Sequence, residues 1–443
     1  MHIGIFGHYG NQNLGDEAII EAAIDSVTRH FGGPDISCFS IRPEDTAKRH
    51  GVPAYPIIYR EGAPSSPGKD EEDEKPARDG DIEGLSEPTA ARPGRGLVGI
   101  LKGLWLVRLP YRALSGCLGL ARTLRTEIPF LLESYRRLKG IDLLIVAGSN
   151  QFLDNFGGVM GFPATLLKWS ILCKLAGTKL AFVSVGAGPI NSSLSKFLIR
   201  LSLRFADYLS YRDAASRDLI EGSSRKHRGK VYPDLASNLR FTAAEKAPST
   251  PGKPVVGINP MPMYDSRYWC EADDGRYQAY VGKLARFAAL LRDRSFPVFF
   301  FGTQRKDYDA IDDVLALLPQ EDVAPPNGAL VRDASSVQEL MKIISSSDIV
   351  VATRFHGTVL SLMADVPVFG ICYYRKAADL LHEMDQDGYF VMLDDFEVED
   401  ALGKFLSLAT NLEQEKLKIR ETSARYSQLV EQQYQHLASL FSR

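Results

Sequence analysis

The sequence has no closely spaced cysteines. Its five, Cys38, Cys117, Cys173, Cys270 and Cys372, are scattered along 443 residues without a C-x-x-C pair. That excludes a disulfide framework and a cysteine zinc site, and it fits a reducing compartment. There is no basic excess either: 52 Lys and Arg face 55 Asp and Glu, a formal charge of −3, which argues against a general nucleic-acid binder. No uninterrupted apolar run approaches the roughly 20 residues of a membrane span. The stretch Met1 to Phe6 lacks the basic leader and apolar length of a signal peptide. Paired acidic or histidine ligand motifs are also missing, so nothing demands a metal. The expected protein is cytoplasmic, not integral to a membrane, and needs no cofactor.

What is present reads as an α/β protein. Hydrophobic residues make up 45% and charged residues 24%, ordinary globular proportions that with this length imply about two or three domains. Short apolar runs at His2–Phe6, Ile36–Ile41, Asp142–Ala147 and Lys179–Val185 alternate with helical patterns, the rhythm of a parallel sheet with crossover helices. The rhythm restarts at Pro254–Ile258 and continues through Phe296–Phe301, Asp348–Ala352 and Val366–Ile371. Residues 243–254, rich in Ala, Pro, Lys, Ser and Thr, read as a linker between domains 1–242 and 255–443. The expected architecture is two doubly wound, Rossmann-like domains facing a cleft, because ligands of such sheets bind beyond the carboxyl ends of the strands. Asn411 to Phe441, without Gly or Pro, should close the chain as a helix.

One stretch breaks the first domain. Residues 62–96 are rich in Pro, Gly, Ser, Asp and Glu, a composition expected to stay disordered. Between Glu87 and Glu127 there is then no acidic residue, while Arg92, Arg95, Lys102, Arg108, Arg112, Arg122 and Arg125 alternate with apolar residues including Trp105 and Tyr111. Within a helical segment 97–139, the part 97–125 suits a helix lying on an anionic membrane. The same pattern also fits a crossover helix with its basic face in water.

The first candidate for chemistry is the loop from Gly7 to Asp16. A strand, a glycine-rich turn and a helix expected to open at Asp16 put free N–H groups at a cleft edge. The spacing is not G-x-G-x-x-G and strand two ends in Arg42, which disfavours a dinucleotide. Gly186 and Gly188 follow another strand, and Arg212 ends a short apolar one. That guanidinium is suited either to holding a carboxylate or phosphate, or to a local pair with Asp213. The most pointed element is Thr353-Arg354-Phe355-His356-Gly357-Thr358. An extended backbone after the strand directs Arg354 and His356 to one side, Gly357 permits close approach by a ligand, and Thr358 opens the next helix. Tyr373 to Lys376 add positive charge at the same edge.

Taken in order, these residues resemble the polysaccharide pyruvyltransferase family. The matches are Gly7 to Glu17, Gly186 to Pro189, Tyr211-Arg212-Asp213 with Ser216, Pro233-Asp234, Arg354 to Gly357, and Tyr373 with Lys376. Where the family tends to carry a run of glycines, this chain has Ala147-Gly148-Ser149-Asn150-Gln151. The resemblance implies a fold related to two-domain GT-B glycosyltransferases and transfer of pyruvate from phosphoenolpyruvate to sugar hydroxyls, commonly as a cyclic ketal. It implies that Arg212 and Arg354 hold the donor and His356 is the general acid. Lys376 neutralises departing phosphate, while Asn11 and Asp16 orient acceptor hydroxyls or supply a base. Gly15, Gly186, Gly188, Gly357 and Tyr373 complete the expected binding set. The acceptor implied is a cell-surface polysaccharide or its lipid-linked precursor, met at the inner face of a membrane. Two competing readings are a glycosyltransferase using a nucleotide sugar, on the same architecture, and a non-catalytic saccharide-binding protein.

Overall fold

The structure is a computed structural model and describes residues 1–7, 9–10, 12–59, 125–155, 157–222, 229–244, 253–269, 272–318 and 330–441. The expected disordered insertion 62–96, the basic stretch 97–124 and Asn11 lie outside the described residues, as does most of the expected linker.

Two all-parallel sheets organise the chain. The first is built from β1 (His2–Phe6), β2 (Asp35–Ser40), β3 (Ala54–Pro56), β4 (Leu143–Ala147), β5 (Lys179–Val185), β6 (Tyr208–Tyr211) and β7 (Lys230–Val231), in the order β3-β2-β1-β4-β5-β6-β7. The second comprises β8 (Val256–Asn259), β9 (Val298–Phe301), β10 (Val331–Arg332), β11 (Ile349–Ala352), β12 (Val368–Cys372) and β13 (Phe390–Met392), ordered β10-β9-β8-β11-β12-β13. Both repeat the doubly wound pattern, in which the strand order reverses beside the first strand and leaves a crevice there. The central strands are apolar on both faces because helices cover both. All five residues of β4, for example, are buried, which is what made these strands readable as continuous runs.

The Leu14–His30 helix starts at Asn13, whose Oδ1 accepts a hydrogen bond from Gly15 N. Asn13, not Asp16, is therefore the cap. Asp16 sits within the first turn and accepts from the Asn13 side chain, Nδ2, at 2.6 Å.

The lobes meet at their carboxyl ends. Leu14 N donates to Thr303 O at 2.9 Å, and Asn13 forms an antiparallel bridge with Gln304. The long Leu412–Phe441 helix ties them together again. Near its start Glu415 accepts from Gln386 Nε2 in the second lobe at 2.6 Å. Near its end Gln433 donates to Ser210 Oγ at 2.6 Å in the first, with Tyr434 and Leu437 fully buried. One hydrophobic core accordingly contains Ile3 and Ile145 from one sheet and Val350 and Val368 from the other.

Candidate active site

A cavity of about 720 Å³ lies between the lobes. Its walls come from the segments that follow β1, β2, β4, β5 and β6 on one side and β8, β9, β11 and β12 on the other.

The loop after β11 departs from the expected extended form. Arg354 is the cap residue of a helix spanning Phe355–Met363, and His356 lies in its first turn. At this helix start a neighbour fills the space beside Gly357. A Cβ there would stand 2.2 Å from Asn259 Oδ1, so the glycine lets β8 pack against the helix start. A glycine is no obstacle in a first turn, whose N–H groups have no helical partner in any case. Gly357 thus admits a side chain of the protein where a close approach by ligand was expected, and Thr358 lies inside the helix that it was expected to open.

This geometry aims Arg354 at Asp307. Its Nε donates to Asp307 Oδ1 at 2.7 Å, and Nη2 donates to the same oxygen. Asp307 is fully buried, and its other oxygen accepts from Thr303 N at 2.9 Å and Gln304 N at 3.0 Å. The carboxylate is therefore fixed before it fixes the arginine, and among the described residues no hydrogen bond occupies Arg354 Nη1. Nothing in the sequence reading singled out Asp307. Its one local signal is an acidic residue opening a helix six positions after β9 ends at Phe301.

Arg212 enters from the opposite lobe. Its Nη1 lies 3.3 Å from Asp234 Oδ2 and its Nε 3.6 Å from Asp213 Oδ2, so the local pair considered from sequence exists but shares the guanidinium with a second carboxylate. Asp213 also caps the Ala214–Glu221 helix, accepting from Ser216 N at 2.6 Å. The guanidinium sits 4.7 Å from the centre of the Phe355 ring, between Arg354 and His356 in sequence, a cation–π contact across the cleft. Gly186 explains the fit: a Cβ there would come within 2.7 Å of Arg212 Nη2.

His356 packs against the first lobe. Gly15 has no Cβ, and one placed there would lie 2.5 Å from His356 Nδ1. The ring's Nε2 is buried without a hydrogen-bond partner among the described residues. Such an atom is costly to leave unmade unless something else meets it. Asp16, whose Oδ1 accepts from Ser149 Oγ at 2.9 Å, has its carboxyl pushed up by burial, while His356 and the Ser149 hydroxyl pull it back down. Ser149 holds a left-handed φ of 55° after Gly148 at 50°, a conformation natural for the glycines expected there and uncommon for serine. The serine hydroxyl bonded to Asp16 is what this departure supplies. Behind the loop, Glu17 accepts from Gly10 N at 2.8 Å and from His50 Nε2 at 2.7 Å.

Lys376 closes the cleft. Its Nζ donates to Asn150 Oδ1 at 2.8 Å, Ala187 O at 2.5 Å and Gly188 O at 3.3 Å, all in the first lobe. Burial, with Arg212 adding to it and Asp213 opposing, brings this ammonium down to about 7. Tyr373 lines the same cavity, its phenol pushed up to about 12 by burial. Asp16, Gly188, Arg212, Arg354, His356, Tyr373 and Lys376 therefore share one cavity, with Gly15, Gly186 and Gly357 packed behind them. The arrangement gathers two guanidinium groups, an amine, an imidazole and a carboxylate in one cavity.

Removing a buried counter-charge leaves its partner unpaired. Asp307→Ala should lower the unfolding free energy by about 3–5 kcal/mol, measured from urea unfolding, whereas a drop as small as that of a surface substitution would show that Arg354 does not rely on it.

The polysaccharide pyruvyl transferase family model matches residues 13–374. Among solved structures, the Anabaena protein HepE in complex with UDP is 12% identical, with 99% of this chain and 98% of that one covered at a TM-score of 0.54. UDP-GlcNAc 2-epimerase from Neisseria meningitidis bound to UDP-GlcNAc is 10% identical, with 94% and 93% covered at 0.50. A glycosyltransferase from Rickettsia africae is 10% identical, with 100% and 98% covered at 0.50. Likeness at this identity shows the fold, which is of the GT-B type. With the family model covering most of its length, this chain belongs to the polysaccharide pyruvyl transferase family.

Proposed function

We propose that the protein transfers pyruvate from phosphoenolpyruvate to two hydroxyls of a saccharide, forming a cyclic ketal. The observation that carries this reading is the lining of one cavity by Arg212 and Arg354 from opposite lobes, together with the unpartnered Nε2 of His356. A carboxylate and a phosphate on one small molecule call for two or more fixed cations, and planar guanidinium groups suit both. The remaining volume, bordered by Tyr268 and Trp269, leaves room for an acceptor sugar.

In this scheme the His356 imidazolium gives its Nε2 proton to the methylene carbon of the donor. The adjoining carbon becomes an oxocarbenium-like centre, stabilised by the carboxylate and phosphate held on the arginines. An acceptor hydroxyl adds there and loses its proton to Asp16. The carbon–oxygen bond to phosphate then breaks, Lys376 compensating the charge of the leaving group, and a second hydroxyl adds, its proton passing to the departed phosphate. One donor and one diol give one ketal and one inorganic phosphate. The scheme uses side chains and the donor alone, and a cytoplasmic setting would supply that donor.

Incubation with phosphoenolpyruvate and candidate saccharides, followed by mass spectrometry, should give a product heavier by one pyruvic acid less one water, with phosphate released. His356→Ala should reduce turnover by about 10²–10⁴-fold with the fold retained, and Arg354→Ala should chiefly raise KM for the donor. Sugar transfer from a nucleotide sugar with no pyruvyl product would overturn the reading. For pH, a Lys376 value lowered to about 7 means that the ammonium is present below that pH and lost as pH rises through it. Activity should therefore fall on the alkaline side, and Lys376→Arg, which stays charged, should move that limb upward. An unmoved limb would remove Lys376 from the leaving-group step.

A further inference from the structure

One face of the first lobe carries a density of exposed apolar side chains found nowhere else among the described residues. The helical residues 125–138 expose Ile128 and Leu132, the Phe162–Ala176 helix exposes Ile171 and Leu175, and the Ser193–Leu203 helix exposes Leu194 and Phe197. Leu175 is 66% and Phe197 58% exposed, values unlike those of residues covered by a neighbour. The three helices are adjacent. Lys168 bonds Glu127 at 3.1 Å, linking the first two, and the second packs on the third. Their inner faces supply Leu138, Trp169 and Ile199 to one core, so the outward row is surplus to folding. By length and composition the stretch Gly158–Ala176 is apolar enough to cross a membrane. Its Trp169 and Cys173 face, however, is packed on the sheet, which fits a surface role rather than a spanning one.

Charge points to the occupant. From Asp154 to Asp207 no acidic residue intervenes. Of the bases there, Lys168 pairs with Glu127, Lys179 with Asp207, and Arg200 donates to Ile220 O, while Lys174, Lys196 and Arg204 are in no ion pair among the described residues. On the 125–138 helix Glu133 is matched by Arg136 and Arg137. On the outer helix faces Lys174 stands three residues after Ile171 and Arg200 three residues after Phe197, spacings that share one helix face. Apolar side chains on a surface with a net excess of bases suit the headgroup layer of an anionic bilayer, which takes the apolar groups into its acyl boundary and holds the cations at its surface. The central helix joins the cavity to the patch: its buried first residue, Phe162, lines the space between the lobes, while the exposed Ile171 and Leu175 lie toward its other end.

We infer that this three-helix face docks the protein on an anionic lipid surface. The inference does not depend on the donor chemistry proposed above, and its readout is binding. The full chain should co-sediment with vesicles of phosphatidylcholine containing about one-third phosphatidylglycerol, much less with phosphatidylcholine alone, and the binding should weaken with salt. The double variant Leu175→Glu with Phe197→Glu should bind at least tenfold less while melting at the wild-type temperature, because both side chains are exposed. Lys174→Glu with Lys196→Glu, which leaves the apolar row untouched, should also bind less, and serves alone if the first variant does not fold. Undiminished binding by either pair would overturn the inference. So would a dimer in solution that both pairs dissociate, since the face would then be an interface between copies of the chain.

Discussion

Three cationic side chains crowd one buried cleft, and burying like charges together is unfavourable unless each is separately compensated. Most of what surrounds the cleft answers that requirement. Arg354 has Asp307, Arg212 has Asp234 and Asp213, and Lys376 has two backbone carbonyls and Asn150. Each compensating group is held in turn: Asp307 by the amides of residues 303 and 304, and Asp213 by the start of the helix it caps. The side chains are fixed before any ligand arrives, the condition under which aligned charges contribute most to a charged transition state.

The same contacts join the lobes. Arg212 of one stacks on Phe355 of the other, Lys376 reaches back to Ala187 and Gly188, and Gly15 accepts the His356 ring. A cleft between two sheets whose strand order reverses at their centres is the ordinary ligand position of this architecture. The Leu412–Phe441 helix secures the pairing by burying its end in the first lobe and its beginning against the second. Relatives of similar fold that are solved with UDP or UDP-GlcNAc share this frame. What separates their chemistry from the one proposed here is carried by side chains at the strand ends, because fold alone does not decide function.

Much of the fold could be read in advance because buried parallel strands are continuous apolar runs, as in Leu143–Ala147, and because the terminal helix lacks any breaker. The short edge strands Ala54–Pro56, Lys230–Val231 and Val331–Arg332 could not, since two or three residues carry no periodicity. At the site, Arg212, Arg354 and His356 were legible as residue types at strand ends. Their supports were not: Asp307 lies 47 residues from Arg354, and nothing local marks a partner that distant. The glycines at 186 and 357 were legible as turns or ligand approaches, but their work is to make room for Arg212 and Asn259. Ser149 was visible only as a departure from a glycine run. Its bond to Asp16 depends on a left-handed backbone that sequence does not display.

The central claim is that two arginines from facing lobes and one imidazole converge on a single compact dianion. The measurement that reaches it most directly is a crystal structure of the protein with phosphoenolpyruvate bound. The account predicts the carboxylate and phosphate held between Arg212 and Arg354, with the methylene carbon within reach of His356 Nε2. Phosphoenolpyruvate bound away from these residues, or His356 facing neither end of it, would contradict the account.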